Sequence, residues 1–122
     1  MKCPFCHPGP SEIKLRNDLC YVREDSFPVS PGHMLVIPFR HVADFFEIMD
    51  DERTAMFELL WLARDRSLET LSPGGFNVGI NAGEVAGQTV MHVHLHLIPR
   101  FDGDVADPRG GVRWIFPEKA QY

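Results

Sequence analysis

No stretch of this chain is apolar enough to span a bilayer. A spanning helix needs about 20 consecutive apolar residues, and no segment approaches that length. The first ten residues, MKCPFCHPGP, lack the apolar run of a secretion signal. The chain is therefore read as cytoplasmic, with no membrane partner. Runs of Lys or Arg are also missing, and the net charge is −5. A general nucleic-acid binder needs a basic face, so no nucleic-acid partner is expected. An anionic substrate would have to be met by a local pocket rather than by the overall field. Cysteine is scarce: Cys3, Cys6 and Cys20 are too few for a disulfide framework. Cys20, inside an expected strand, reads as a buried thiol. Repeats and low-complexity tracts are absent.

What remains is enough for one domain. The chain has 122 residues, 44% of them hydrophobic and 24% charged, ordinary values for a single-core globular protein. Residues 1–122 form one unit, with an N-terminal arm over 1–10 and a C-terminal tail over 101–122. LCYVRED and GHMLVIP read as two strands joined by the turn residues of SFPVSPG, close enough to pair antiparallel. A short helix is predicted over 43–48 and a long one from Asp50, whose first turn holds Asp50, Asp51 and Glu52. Met56, Leu59, Leu60 and Ala63 make one apolar stripe. Phe57 and Trp61 make a second, offset one, so the helix is sandwiched or shared between subunits. Pro73, Gly74 and Gly75 end it. FNVGIN is a third strand, AGEVAGQ a Gly-rich loop, TVMHVHLHLIPR a fourth strand, and VRWIF in the tail a short strand-like piece. This order gives an α+β domain on an antiparallel sheet.

Three of the six histidines occupy alternate positions, His92, His94 and His96. Strand side chains alternate between faces at about 6–7 Å per same-face step. The spacing predicts a row of imidazoles on one face, with Met91, Val93, Leu95 and Leu97 on the other. Such a row can ligate zinc or carry covalent catalysis, since neutral imidazole is a nucleophile near pH 7. It can also be merely the polar face of a strand. The adjoining NAGEVAGQTV supplies backbone N–H groups, the Gln88 amide and the Thr89 hydroxyl, donors suited to phosphate oxygens.

HVHLHLI fits His-x-His-x-His followed by two apolar residues. Together with PGHMLVIPFRH, NAGEVAGQTV and IPR, it resembles the histidine triad (HIT) family across roughly residues 1–117. The resemblance implies a HIT-like five-stranded antiparallel sheet with one long and one short helix, and a homodimer. It implies cleavage of nucleoside phosphates at the α-phosphorus through a nucleotidyl-histidine intermediate. His94 is implied as the nucleophile, oriented by the His92 carbonyl. His96 would sit at the phosphate or bridging oxygen, with His33 as a phosphate-side helper. Gln88, Thr89, Gly87 and Asn81 are implied around the phosphate and Asp25 at the ribose hydroxyls. His at the third triad position, where related uridylyltransferases carry Gln, favours a hydrolase. The GQT loop and LIPR look closer to dinucleoside polyphosphate hydrolases, with an adenosine phosphoramidase or a slow nucleotide-binding module as alternatives.

Cys3-Pro4-Phe5-Cys6 is half of a four-ligand zinc site. In bacterial members that the chain resembles, His41 and His92 complete it, which implies one structural zinc per chain at Cys3, Cys6, His41 and His92 and no catalytic metal. A free thiol pair and a redox pair are the other readings; the latter usually sits at a strand-to-helix junction. Arg109, Arg113 or both are expected at the substrate's distal phosphates, with an ion pair from Arg109 to Asp102, Asp104 or Asp107 as the other reading.

Overall fold

The computed structural model describes residues 2–122. Its sheet has five strands: β1 (Leu15–Arg16), β2 (Cys20–Glu24), β3 (Met34–Pro38), β4 (Gly75–Gly79) and β5 (Leu95–Arg100). Their spatial order is β1-β2-β3-β5-β4, antiparallel throughout. A single long helix, α1 (Asp50–Thr70), crosses one face. No helix among the described residues is long and apolar enough to cross a membrane.

Helix α1 lies on the sheet by the stripe its sequence predicts. Met56, Leu59, Leu60 and Ala63 are buried against Val22, Val36, Leu95 and Leu97. Glu52 joins them although it is charged, at 1% exposure. It is tolerated because both carboxylate oxygens accept hydrogen bonds. Arg40 donates to Glu52 Oε2 at 3.0 Å and Oε1 at 2.7 Å, and the Met49 amide donates to Oε1 at 2.8 Å. The Arg40 hydrogen bonds hold its carboxyl below the ordinary Glu value, against the opposing effect of burial. The second stripe is uncovered: Phe57 and Trp61 are 40% and 59% exposed. With Arg53, Thr54, Glu58 and Leu62 they line a depression of about 910 Å³.

The opposite sheet face carries a second, smaller core of Phe5, Tyr21, Leu35 and Ile37. The alternation of β2 and β3 sends Tyr21, Leu35 and Ile37 there. The N-terminal arm folds over it. Buried Tyr21 donates its hydroxyl to the Phe5 carbonyl at 2.7 Å, and Arg23 donates to the Pro4 carbonyl at 3.3 Å. Cys20 is fully buried as expected, and burial pushes its thiol up to about 12.

Four local expectations are corrected. The short helix over 43–48 is a single 3-10 turn, Phe45–Glu47, capped by Asp44 accepting from the Phe46 amide. VRWIF is not strand-like but part of a 3-10 turn, Gly111–Ile115; β1 is the fifth strand. The last strand starts at Leu95 rather than Thr89, because the Val93 amide donates to the Val42 carbonyl instead of joining the ladder. Val93, Leu95 and Leu97 are buried as predicted, but Met91 is 47% exposed.

Candidate active site and metal centre

His96 stands in β5, while His92 and His94 stand on the extended approach to it. Two of the three rings stay close: His94 and His96 have centroids 5.2 Å apart. Their hydrogen bonds determine which nitrogen carries the proton. His94 Nδ1 lies 2.8 Å from the His92 carbonyl. A carbonyl can only accept, so Nδ1 is the protonated nitrogen and Nε2 keeps a free lone pair.

His33 and His96 form a second chain of the same kind. The Val29 amide donates to His33 Nδ1 at 3.2 Å, which puts the His33 proton on Nε2. Nε2 faces His96 Nδ1 at 2.9 Å and Asp25 Oδ2 at 3.4 Å. His96 Nδ1 therefore accepts. Burial first, then the neighbouring His94 and His33, push His96 down to about 4, so near neutrality it is uncharged. Its one proton lies on Nε2. Burial likewise lowers His33, partly opposed by Asp25. Asp25, His33 and His96 have the composition of a metal site. The 2.9 Å His33–His96 contact is instead a hydrogen bond, which uses the lone pair and the proton facing each other.

His92 belongs to another cluster. It is fully buried, and its Nε2 donates to the Pro38 carbonyl at 2.7 Å. Its unprotonated Nδ1 points at Cys3 Sγ (3.3 Å), Cys6 Sγ (3.5 Å) and His41 Nδ1 (3.2 Å), and Cys6 Sγ lies 3.1 Å from His41 Nδ1. A tetrahedral zinc with bonds of about 2.0–2.3 Å has ligand-to-ligand edges of roughly 3.3–3.8 Å. The four groups nearly fit that tetrahedron, and the Pro38 carbonyl supplies the outer hydrogen bond a ligating imidazole needs. The structure thus holds a possible Cys/His metal site made of Cys3, Cys6, His41 and His92.

Phe5, which the sequence reading did not single out, packs edge-on to His94 at 5.1 Å and to His92 at 6.0 Å. The only signal for it was its place between two cysteines that share ligands with the triad strand. The loop before the histidines turns through Gly83 and Gly87, both at positive φ near +97° (96° and 98°), where a side chain would be strained. Thr89, Asn81 and Gly87 are exposed on this loop.

Gln88 is buried in the loop that precedes the histidines. It is 4% exposed and its amide is fully engaged: Oε1 accepts from the Gly83 amide at 2.9 Å, and Nε2 donates to the carbonyls of Ala43 (2.7 Å) and Val90 (3.1 Å). It fastens the loop and has no donor left for a phosphate. Arg109 and Arg113 are both engaged within the tail, Arg109 in the ion-pair alternative. Arg109 is paired with Asp107 at 2.8 Å, and Arg113 donates to the carbonyls of Ala120 (3.1 Å) and Lys119 (2.7 Å). Both guanidiniums hold the tail to itself. Asp25 is half committed, since Oδ1 accepts from the Phe27 amide at 2.8 Å.

A family model described as HIT domain matches residues 9–103. The chain is 35% identical over 100 residues to an asymmetrical bis(5'-nucleosyl)-tetraphosphatase of Schizosaccharomyces pombe, covering 82% of this chain and 55% of the relative. It is 34% identical over 93 residues to an AP-4-A phosphorylase of Mycobacterium tuberculosis, covering 75% and 48%. The chain thus spans about half the length of these curated relatives. A HIT family protein of Bacillus subtilis superposes with a TM-score of 0.77 at 30% identity, over 85% of this chain and 77% of the other. A Zn-bound histidine triad protein of Mycobacterium smegmatis superposes with a TM-score of 0.73 at 31% identity, over 81% and 72%.

The buried, neutral His96 has a consequence for stability. Its value is about 4 when folded, against 6.5 unperturbed, so on acidification the unfolded chain takes up the proton first. A group lowered in this way stabilises the fold above the unperturbed value, and that contribution is lost as pH falls toward the folded one. Between pH 6.5 and 4.5 the melting temperature of wild type should fall more steeply than that of His96→Gln. Parallel slopes would show that His96 is not held neutral by the fold.

Proposed function

The chain belongs to the HIT domain family, and from that premise we propose that it is a nucleotidyl hydrolase acting at the α-phosphorus of dinucleoside polyphosphates. Its relatives process nucleotides as a hydrolase and a phosphorylase, as their names state. The observation that carries the reading is the pair of tautomers. His94 offers an Nε2 lone pair and, one step along, neutral His96 offers an Nε2–H donor.

The residues act in sequence. His94 Nε2 bonds to the α-phosphorus, and the bond from phosphorus to the bridging oxygen breaks. The electron pair departs on that oxygen as a phosphate oxyanion, stabilised by the His96 Nε2–H. The nucleotidylated ring keeps its Nδ1–H on the His92 carbonyl and is cationic, which makes it a good leaving group. Water then adds to phosphorus and gives its proton to solvent, while the bond from phosphorus to Nε2 breaks and its electron pair returns to the ring, restoring neutral His94. In this reading His33 holds the His96 tautomer. Asp25 holds that imidazole pair, with its exposed edge toward the ribose, and the backbone amides around Gly87 and Thr89 receive the phosphate. Asn81 lines the same loop.

The metal of the Cys/His site is read as zinc, with a structural role: four protein ligands leave no position for substrate. Bound there, zinc would supply a fixed cross-link between the arm and the triad strand. The arm residues Cys3 and Cys6, with His41, then hold His92 and through its carbonyl the orientation of His94. The exposed Phe57, Trp61 and Leu62 face of α1 is read as a homodimer interface, since an apolar patch of this kind marks an association surface.

Three outcomes follow from this reading. His94→Ala should lower turnover of diadenosine tetraphosphate by at least a thousandfold with an unchanged melting temperature. Retention of more than a few per cent of activity would remove His94 as nucleophile. Metal analysis should find one zinc per chain in wild type and a loss of it, with a lower melting temperature, in Cys3→Ser; a metal-free, equally stable wild type would overturn the assignment. Sedimentation at micromolar concentration should show a dimer that Trp61→Glu dissociates, whereas a monomeric wild type would leave the helix face without this role.

A further inference from the structure

From residue 104 on, the tail lies beyond the residues that match the family model, and it builds something of its own. Gly110 takes φ +99° and sits against the Ala120 carbonyl, where any Cβ would collide. The tail therefore doubles back on itself, fastened by Arg113 on the Ala120 and Lys119 carbonyls and by Gln121 on Asp107 at 2.8 Å. Trp114 is fixed by donating Nε1–H to the Arg109 carbonyl at 3.0 Å. Between this folded tail and the sheet lies a cleft of about 720 Å³, lined among others by Pro31, Asn77, Ile98, Phe101, Pro108 and Trp114.

The position of the cleft relative to the histidines follows from the strand. His94, His96, Ile98 and Arg100 alternate with the buried residues of β5 and share its outer face. Asn77 is the β4 partner of Ile98 and faces the same way. One same-face step of about 6–7 Å thus separates the donor His96 from Ile98 in the cleft wall. The loop from Val29 to Pro31 closes the other side; its Val29 amide holds His33, and Ser30 anchors it by donating to the Pro99 carbonyl at 2.7 Å. In an in-line displacement the nucleophile and leaving group stand on opposite sides of phosphorus. With His94 as nucleophile and His96 at the departing oxygen, the cleft lies on the leaving-group side.

The walls select by charge. Arg100, the one cation in the cleft wall, and the two arginines of the adjoining tail are already engaged. Arg100 is bidentate with Asp104 at 2.8 Å and also donates to Asn77, Arg109 is paired with Asp107, and Arg113 faces backbone carbonyls. Nothing there can balance a polyphosphate. Apolar and aromatic surfaces, with the Gln121 and Asn77 amides at the edge, suit a flat uncharged ring. We infer that the tail cleft is a leaving-group subsite for an uncharged ring-bearing moiety, the chemistry shared by the distal nucleoside of a dinucleoside substrate and by an aromatic alcohol esterified to adenylate. This inference rests on the nucleotidyl-hydrolase reading and specifies which leaving groups that reaction accepts.

The test compares diadenosine tetraphosphate, the p-nitrophenyl ester of AMP, and ATP. In wild type, kcat/KM should be at least tenfold higher for one or both ring-bearing substrates than for ATP, whose leaving group has no ring. Which of the two leads tells nucleoside from small aryl group. Trp114→Ala and, from the sheet side, Ile98→Glu should each cut that kcat/KM about tenfold and leave the ATP value within twofold. Equal losses on ring-bearing substrates and ATP, or no loss, would overturn the subsite. Binding is read apart from chemistry in His94→Ala carrying Trp61→Phe, where Trp114 is the remaining indole. The p-nitrophenyl ester should quench its fluorescence at a concentration at least tenfold below that needed for ATP, and equal concentrations would overturn the subsite. Quenching with no adenylate released by wild type from any substrate would sink the hydrolase reading while leaving the cleft's ring binding intact.

Discussion

The arrangement of His92 is the constraint on which the site depends. Three of its polar groups point in three directions and each is used. Nε2 donates to Pro38 at the end of β3. Nδ1 faces Cys3, Cys6 and His41. The main-chain carbonyl receives the His94 Nδ1–H. One buried residue therefore ties the central sheet, the N-terminal arm and the reactive ring together. Burial gives these bonds their value, because an unmade bond at a fully buried polar group costs about 1–3 kcal/mol.

The same economy governs the other histidine chain. Val29, His33 and His96 pass a single donor–acceptor polarity from a backbone amide to a side-chain Nε2. Reversing any one tautomer would place two protons or two lone pairs face to face. The neutral state of His96 follows from burial, so the fold presents a hydrogen-bond donor there rather than a free cation. Helix α1 and its buried Glu52 support this indirectly by closing the far side of the sheet, which leaves the triad face free for the arm, the Gly-rich loop and the tail.

Polar residues that look equivalent in a sequence part company in the fold. Gln88 and Thr89 are neighbours beside the same histidines, yet the Gln88 side chain is buried in three hydrogen bonds to the backbone while Thr89 is exposed. Arg109 and Arg113 were plausible phosphate ligands in an acidic chain that must meet an anion. Asp107 and the carbonyls of residues 119 and 120 engage both guanidiniums within the tail. The tail's contribution is instead a surface of rings and proline.

Periodicity carried much of the architecture. The stripe of Met56, Leu59, Leu60 and Ala63 and the alternation of Val93, Leu95 and Leu97 are burial patterns, and burial is what a period of 3.6 or 2 reports. The ends of elements were less legible. The Val93 amide leaves the ladder for Val42, and VRWIF coils although its composition is that of a strand, because each outcome depends on a distant partner. The Cys3, Cys6, His41 and His92 set came from likeness to a family, since residues 89 positions apart carry no local sign that they meet. Tautomers, the loss of Gln88 as a donor and the tail cleft were decided only by tertiary structure. A side chain's chemistry is written in the sequence, but which of its atoms remain free is determined by what folds against it.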